Sequence, residues 1–376
     1  MESSRSSSRL IWILLLATLV LASYGGVGNA ESDLFGDTFL NYELPCKKIP
    51  PSPTVPDHVT KVRPSDIKVA MGIGDSSSAG FVMMYEKFGD SINEFRGRSF
   101  PNGGDPGAAT IPNFLKSVGA NVVGGGRGSN VPLMFHYVPK NMRANAFDFN
   151  KAQLAAAASQ GILVDVPDLV EYLHFHLNKT DPPVDNEKDW KLFTYFIGSN
   201  DVCHVCDNKE TSFSNWIDGY YSTLALIKEK FPRTIVNVML INNIVRTEEI
   251  SVGKKCNNLR RFLEFCTCLN NEQGRAAMAE RRANITRVIK ESVTKINKLN
   301  SPEFRVVLQP FMEDYKIDLD HLSPFDCFHP NQKGSKIWSL ALWNNMMSPP
   351  KLKKHYIEPN IKPICPTENT YLVYDE

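Results

Sequence analysis

Five short apolar runs punctuate the chain, at residues 67–73, 146–149, 190–197, 234–241 and 304–308. Runs of this length bounded by turn residues read as strands buried on both faces. The first and third end at Gly74 and Gly198, where a strand gives way to a turn. Between and after them the apolar positions switch to helical spacing, over 111–118, 164–177, 216–230, 276–299 and 335–346. Short strands alternating with longer helices predict an α/β domain whose mostly parallel sheet is covered on both faces. No repeat of fixed period interrupts this order.

The two ends read differently. Arg5 and Arg9 precede an unbroken apolar run from Leu10 to Leu21, and small residues close the segment at Gly28, Asn29 and Ala30. That order predicts a secretory signal over residues 1–30, and the run is short for a bilayer span of roughly 20 residues. Residues 31–66 hold Pro50, Pro51, Pro53, Pro56 and Pro64 and read as an extended lead-in. The domain is expected over 67–365, with a tail at 366–376. No later stretch is apolar enough to span, so the mature chain is expected to be extracellular, without a transmembrane segment.

Composition narrows the chemistry. Forty-two basic and 41 acidic side chains give a net charge of +1, which offers no case for a nucleic-acid partner. Eight cysteines (Cys46, Cys203, Cys206, Cys256, Cys266, Cys268, Cys327 and Cys365) lie beyond the signal and read as disulfides, with connectivity open. Cys203-His204-Val205-Cys206 has the spacing of a zinc half-site, but Cys266-Thr267-Cys268 does not complete it, so no metal is expected. Asn178 and Asn284 head glycosylation sequons. His174 and His176, two apart on a helix, face different ways and read as surface residues. Gly124 to Gly128 lacks the Lys-Ser/Thr of a phosphate loop and reads as a flexible loop.

Three blocks place polar residues at the carboxyl ends of strands, where open α/β sheets build their sites. Gly74-Asp75-Ser76-Ser77-Ser78 follows the first strand. Its serine is a candidate nucleophile, although a serine-rich helix cap looks the same. Gly198-Ser199-Asn200-Asp201 follows the strand at 190–197 and offers an amide donor or an ordinary turn. Asp326-Cys327-Phe328-His329 spaces a carboxylate and an imidazole so that one orients the other. Asp318-Leu319-Asp320-His321 has the same spacing, and spacing alone does not choose between them; His329 is preferred because Pro330-Asn331 and a helix follow it.

Taken in order, these blocks resemble the GDSL/SGNH hydrolases, and more closely the animal phospholipase B group. Further matching stretches include Phe95-Arg96-Gly97, Gly103-Gly104-Asp105, Phe149-Asn150, Asp189-Trp190-Lys191, Val306 to Phe311 and Ala341 to Met346. The resemblance implies a three-layer α/β/α sandwich on a five-stranded, flavodoxin-like sheet. It implies Ser76 as nucleophile, Asp326 and His329 as the rest of a triad, and no cofactor. It implies an oxyanion hole from Ser76, Asn200 and the residue at 155. Asp75 matches a structural aspartate of the family. Implied substrates are phospholipids, lysophospholipids or other acyl esters, met through transient contact with a lipid surface. Small esters or acetylated carbohydrates are the alternative.

Two positions depart from the pattern. Ser77 replaces a leucine, a packing change. In Asn150-Lys151-Ala152-Gln153-Leu154-Ala155-Ala156, Ala155 stands where the family has the oxyanion-hole glycine. Alanine keeps the backbone N–H but adds a methyl and resists positive φ. Reduced activity, an altered acyl preference or a non-catalytic lipid-binding relative are the three consequences to separate.

Overall fold

The computed structural model describes residues 42–129, 166–177, 179–206 and 213–374. Five parallel strands form one sheet: β1 (Ile67–Gly74), β2 (Val123–Gly124), β3 (Trp190–Phe196), β4 (Thr234–Met239) and β5 (Phe304–Gln309). Their order is β2-β1-β3-β4-β5. This is the flavodoxin-like order, in which the chain's direction of travel across the sheet reverses between β1 and β3. The central strands β3 and β4 are buried at every position, as mostly apolar strands are when helices cover both faces. Edge strand β5 alternates in part.

Nine helices accompany the sheet among the described residues: α1 (Ser76–Ala79), α2 (Ile111–Ser117), α3 (Val166–Leu177), α4 (Ser199–Cys203), α5 (Phe213–Lys230), α6 (Val245–Ser251), α7 (Lys255–Phe262), α8 (Glu272–Asn297) and α9 (Gln332–Met346). Helices α3, α5 and α8 pack in series, while α2 packs against α9, so the sheet is the middle of three layers. Asn271 caps α8 through a 2.7 Å bond from Gly274 N–H, and Asn331 caps α9 through a 2.9 Å bond from Gly334 N–H.

The structure corrects one reading and extends another. The glycine stretch at 124–128 is not a free loop. Val123–Gly124 pairs with β1, Gly125 N–H donates to Ala70 O at 3.0 Å, and Gly126 N–H donates to Asn102 O at 2.6 Å. These backbone bonds hold a segment whose composition argues against a strand. The strand expected at 146–149 lies outside the described residues, as do the signal at 1–30 and Asn178. Residues beyond both boundaries drawn from the sequence join the same core: Leu44, Val59 and Val62 on one side, Leu372 and Val373 on the other. Leu372 N–H donates to Val62 O at 3.0 Å.

All eight cysteines pair: Cys46–Cys365, Cys203–Cys266, Cys206–Cys268 and Cys256–Cys327. The two close-spaced pairs join each other, linking α4 to the turn before α8. Among the described residues no helix is long and apolar enough to cross a membrane.

Candidate active site

The site begins with how β1 ends. Gly74 lies so close to β3 and to the next turn that a Cβ there would meet Phe196 O at 2.6 Å and Ser78 Oγ at 2.4 Å. The chain therefore turns at once into α1. Asp75 caps that turn, accepting Ser77 N–H at 3.0 Å, and Ser76 becomes its first residue. Beside it, β3 ends at Gly198, whose φ of 131° is a glycine conformation. Helix α4 then starts with Ser199 and Asn200. Because β1 and β3 pair in register to Gly74 opposite Phe196, the two turns emerge together at the switch point of the sheet.

The third component arrives from the far end of the chain. Asp326, Cys327, Phe328 and His329 form a tight turn between β5 and α9, with Cys327 at a φ of 52°. Ser323 N–H donates to His329 O and Cys327 N–H to Ser323 O, both at 2.8 Å, while Ser323 Oγ donates to Val82 O at 2.9 Å. The turn is thus bolted to the segment that follows α1. Its second anchor is covalent, the Cys256–Cys327 disulfide to α7.

These constraints bring one imidazole between one carboxylate and one hydroxyl. His329 Nδ1 lies 2.6 Å from Asp326 Oδ2, and His329 Nε2 lies 2.7 Å from Ser76 Oγ. The carboxylate accepts at Nδ1, so Nδ1 carries the proton and Nε2 accepts from the serine hydroxyl. Asp326 Oδ1 accepts the N–H groups of Phe328 and His329 at 3.0 and 3.1 Å, which fixes the carboxyl group in the turn. Ser76, Asp326 and His329 are all buried. Phe81 and Phe328 flank the imidazole edge-to-face, with centroids at 5.0 and 4.9 Å. Neither phenylalanine was flagged by the sequence. Phe328 lay within a matching motif, and Phe81 carried no signal at all.

Burial pushes the Asp75 carboxyl up from 3.8 to about 6, against the opposing pull of bonds from Ser199 and Ser77. The competing pair goes elsewhere: His321 Nδ1 bonds Tyr315 Oη at 2.8 Å, and Asp318 Oδ1 accepts the Asp320 N–H at 3.2 Å. His174 and His176 lie on α3, where each ring packs on an aromatic neighbour. Asn284 is half-buried on α8. Among the described residues no group of three or more His, Cys, Asp or Glu side chains is arranged to hold a metal ion. Ala155 and Asn150 lie outside the described residues; Asn200 sits in the first turn of α4, next to the Ser199 that contacts Asp75.

The family model described as GDSL-like Lipase/Acylhydrolase matches residues 85–342, more than half of the chain. The chain belongs to that family. The matched stretch contains Asp326 and His329 and begins just after Ser76. Family members are carboxylic ester hydrolases. Among curated relatives, "Phospholipase B1, membrane-associated" of Mus musculus is 29% identical over 348 residues, covering 87% of this chain and 22% of that protein. The Homo sapiens protein of the same name is 29% identical over 347 residues, with 87% and 23% covered. The chain therefore spans less than a quarter of the length of these relatives. Solved structures align only at low TM-scores. A family two carbohydrate esterase from Clostridium thermocellum aligns with a TM-score of 0.35 at 11% identity, over 74% of this chain and 62% of that one. A carbohydrate esterase family 3 structure from Talaromyces cellulolyticus gives 0.33 at 16%, over 73% and 92%.

Proposed function

We propose that this chain is a secreted serine esterase that releases fatty acids from phospholipids and lysophospholipids through an acyl-enzyme on Ser76. The observation that carries the reading is the unbroken path from Ser76 Oγ through His329 to Asp326, at 2.7 and 2.6 Å. In the reaction Ser76 Oγ attacks the ester carbonyl as His329 Nε2 takes its proton. Asp326 holds the ring and stabilises the imidazolium. The tetrahedral oxyanion is held by the Ser76 and Ala155 N–H groups and the Asn200 amide. As the carbonyl re-forms, the ester C–O bond breaks, and His329 returns the proton to the departing alcohol. Water, deprotonated by the same imidazole, then cleaves the acyl-serine and frees the acid. The path is built wholly from side chains.

The names of the curated relatives support a phospholipid substrate, and four disulfides with sequons at Asn178 and Asn284 support passage through an oxidising, glycosylating compartment. A fluorophosphonate probe is expected to label the secreted protein at Ser76 and to leave Ser76→Ala unlabelled; labelling that survives the substitution removes the nucleophile. A doubly labelled phospholipid assayed beside sugar acetates tests the substrate. A second reading, a lipid-binding relative without turnover, rests on Ala155 alone. It wins if the natural chain is inert and Ala155→Gly gains hydrolysis.

A further inference from the structure

The outer edge of β5 is unpaired among the described residues, and a cavity of about 440 Å³ runs along it. That volume falls within the range of small-molecule sites. None of its lining residues belongs to the site built on Ser76. Strands β3 and β4 separate β5 from β1, a displacement of roughly 14 Å at ordinary strand spacing.

Its walls have two characters. Val293 of α8, Val306 and Leu308 of β5, and Leu372 of the C-terminal segment make an apolar surface. Lys298, Arg305 and Lys353 bring positive charge to it, and among the described residues no acidic side chain lines the cavity. Lys298 and Arg305 form no ion pair among the described residues. Lys353 Nζ donates to Gln309 Oε1 at 3.1 Å and to the Asn345 carbonyl, both neutral and buried. An ammonium has three protons, so one remains for a ligand. His355, the other basic group facing the cavity, is held by Glu313 Oε2 at 2.8 Å, and Glu313 also takes Lys290. Among the described residues, Tyr374 supplies the remaining titratable group on the wall.

An open strand edge also invites an extended peptide. Here that mode is blocked at its centre. Asn297 plays the part of a partner strand, with Val306 N–H donating to Asn297 Oδ1 at 3.0 Å and Asn297 Nδ2 donating to Val306 O at 2.8 Å. The surface is left to be read by side chains, apolar and cationic together.

We propose that this cavity is a second ligand site for an anionic amphiphile, its apolar chain along Val306, Leu308 and Leu372 and its head group on Lys353 and Arg305. The head is a carboxylate or a phosphate monoester, the chemistry shared by a free fatty acid and a lysophosphatidate. The site stands whether or not Ser76 is a nucleophile. Burial pushes the Lys353 ammonium down to about 7. A bound anion therefore meets a full charge below that pH and loses it above.

The test is calorimetric titration of the secreted chain with dodecanoate, dodecyl phosphate and dodecanol below their aggregation limits. None carries a carboxylic ester bond, so binding is read independently of turnover at Ser76. Both anions are expected to bind at least about tenfold more tightly than dodecanol, and Lys353→Met to lose about tenfold in anion affinity, the loss of one charge-assisted hydrogen bond. The tighter anion identifies the source. Wild-type affinity is expected to fall from pH 6 to 9, and the Lys353→Met affinity to vary much less. Arg305→Gln serves as a second variant should Lys353→Met not fold, and hydrolysis of a soluble ester reports folding for both. Equal binding of dodecanoate and dodecanol overturns the proposal. So does anion affinity untouched in the folded variants, or binding that vanishes when Ser76 carries the fluorophosphonate.

Discussion

At the scale of single residues, the division of labour around His329 makes distinct claims about neighbouring carboxylates. Asp326 is fully buried and bonded to Nδ1, so Asp326→Asn retains the shape but presents the ring with the wrong tautomer. Turnover of a soluble ester is expected to fall by about 10⁴, with substrate affinity little changed; steady-state kinetics checks this. Asp75 is a different case. Its folded-state value near 6 lies above its ordinary value of 3.8, so the folded protein holds a proton that the unfolded chain releases between those values. The stability that this difference contributes is complete below pH 3.8 and is lost as pH rises through 6. Asp75→Asn, which keeps an oxygen for Ser77 N–H, is expected to remove that component. The wild-type minus variant difference in urea-derived stability should slope downward from pH 4 to 6, by at most about 1.4 kcal/mol per unit for one proton. A flat difference would mean that Asp75 binds its proton no more tightly in the folded protein than in the unfolded chain.

At the scale of elements, what could be read from the sequence depended on whether apolar periodicity carried the element. Strands β1, β3, β4 and β5 and helices α2, α3, α5, α8 and α9 all bury an apolar run or stripe, and each lies within a few residues of where the pattern put it. Helices α6 and α7 were not legible. Lys255-Cys256-Asn257-Asn258-Leu259-Arg260-Arg261-Phe262 has almost no apolar stripe, and tertiary contacts hold it. Arg260 is fully buried on Glu248, and Asn257 Nδ2 donates to the same carboxylate oxygen at 2.8 Å. Burial works against the Glu248 charge, yet Arg261, Asn257 and Arg260 outweigh it and hold its pKa below the usual range. The two-residue β2 was hidden by its glycines. The partnership of Asp326 with His329 followed from family resemblance and not from spacing, since Asp318 and His321 offered the same interval. The Cys256–Cys327 bond, which ties this polar hairpin to the catalytic turn, had no signature in a list of eight cysteines. Replacing both by alanine is expected to lower unfolding stability by about 2–4 kcal/mol. It should also reduce turnover more than affinity, because the turn holding His329 loses its covalent anchor. Denaturant unfolding and kinetics on one preparation check both effects, and unchanged turnover would restrict the bond to a structural part.

At the scale of the whole molecule, the hairpin and the segment after α1 share a separate apolar cluster beside the active site. Phe81, Val82 and Phe325 form its centre, and Tyr85, Ile92, Leu259, Leu263 and Phe265 pack around it. Phe81 also touches the His329 ring, so this cluster is continuous with the wall of the site. From its two supporting elements project Phe88, 94% exposed, and Phe262, 69% exposed, accompanied by exposed Lys87, Lys254 and Lys255. Aromatic side chains in water next to cations suit the boundary of an anionic lipid layer. If the substrate is presented in such a layer, docking and chemistry become separable steps, with Phe88 acting only in the first. Phe88→Ser is then expected to raise the vesicle concentration needed for half-maximal hydrolysis roughly tenfold, the effect of losing about 1.5–3 kcal/mol of apolar burial. The maximal rate on vesicles and the kinetics on a water-soluble short-chain ester should stay as they were. A parallel loss on the soluble ester would instead assign Phe88 to the folded framework, and no loss on vesicles would remove it from the docking surface.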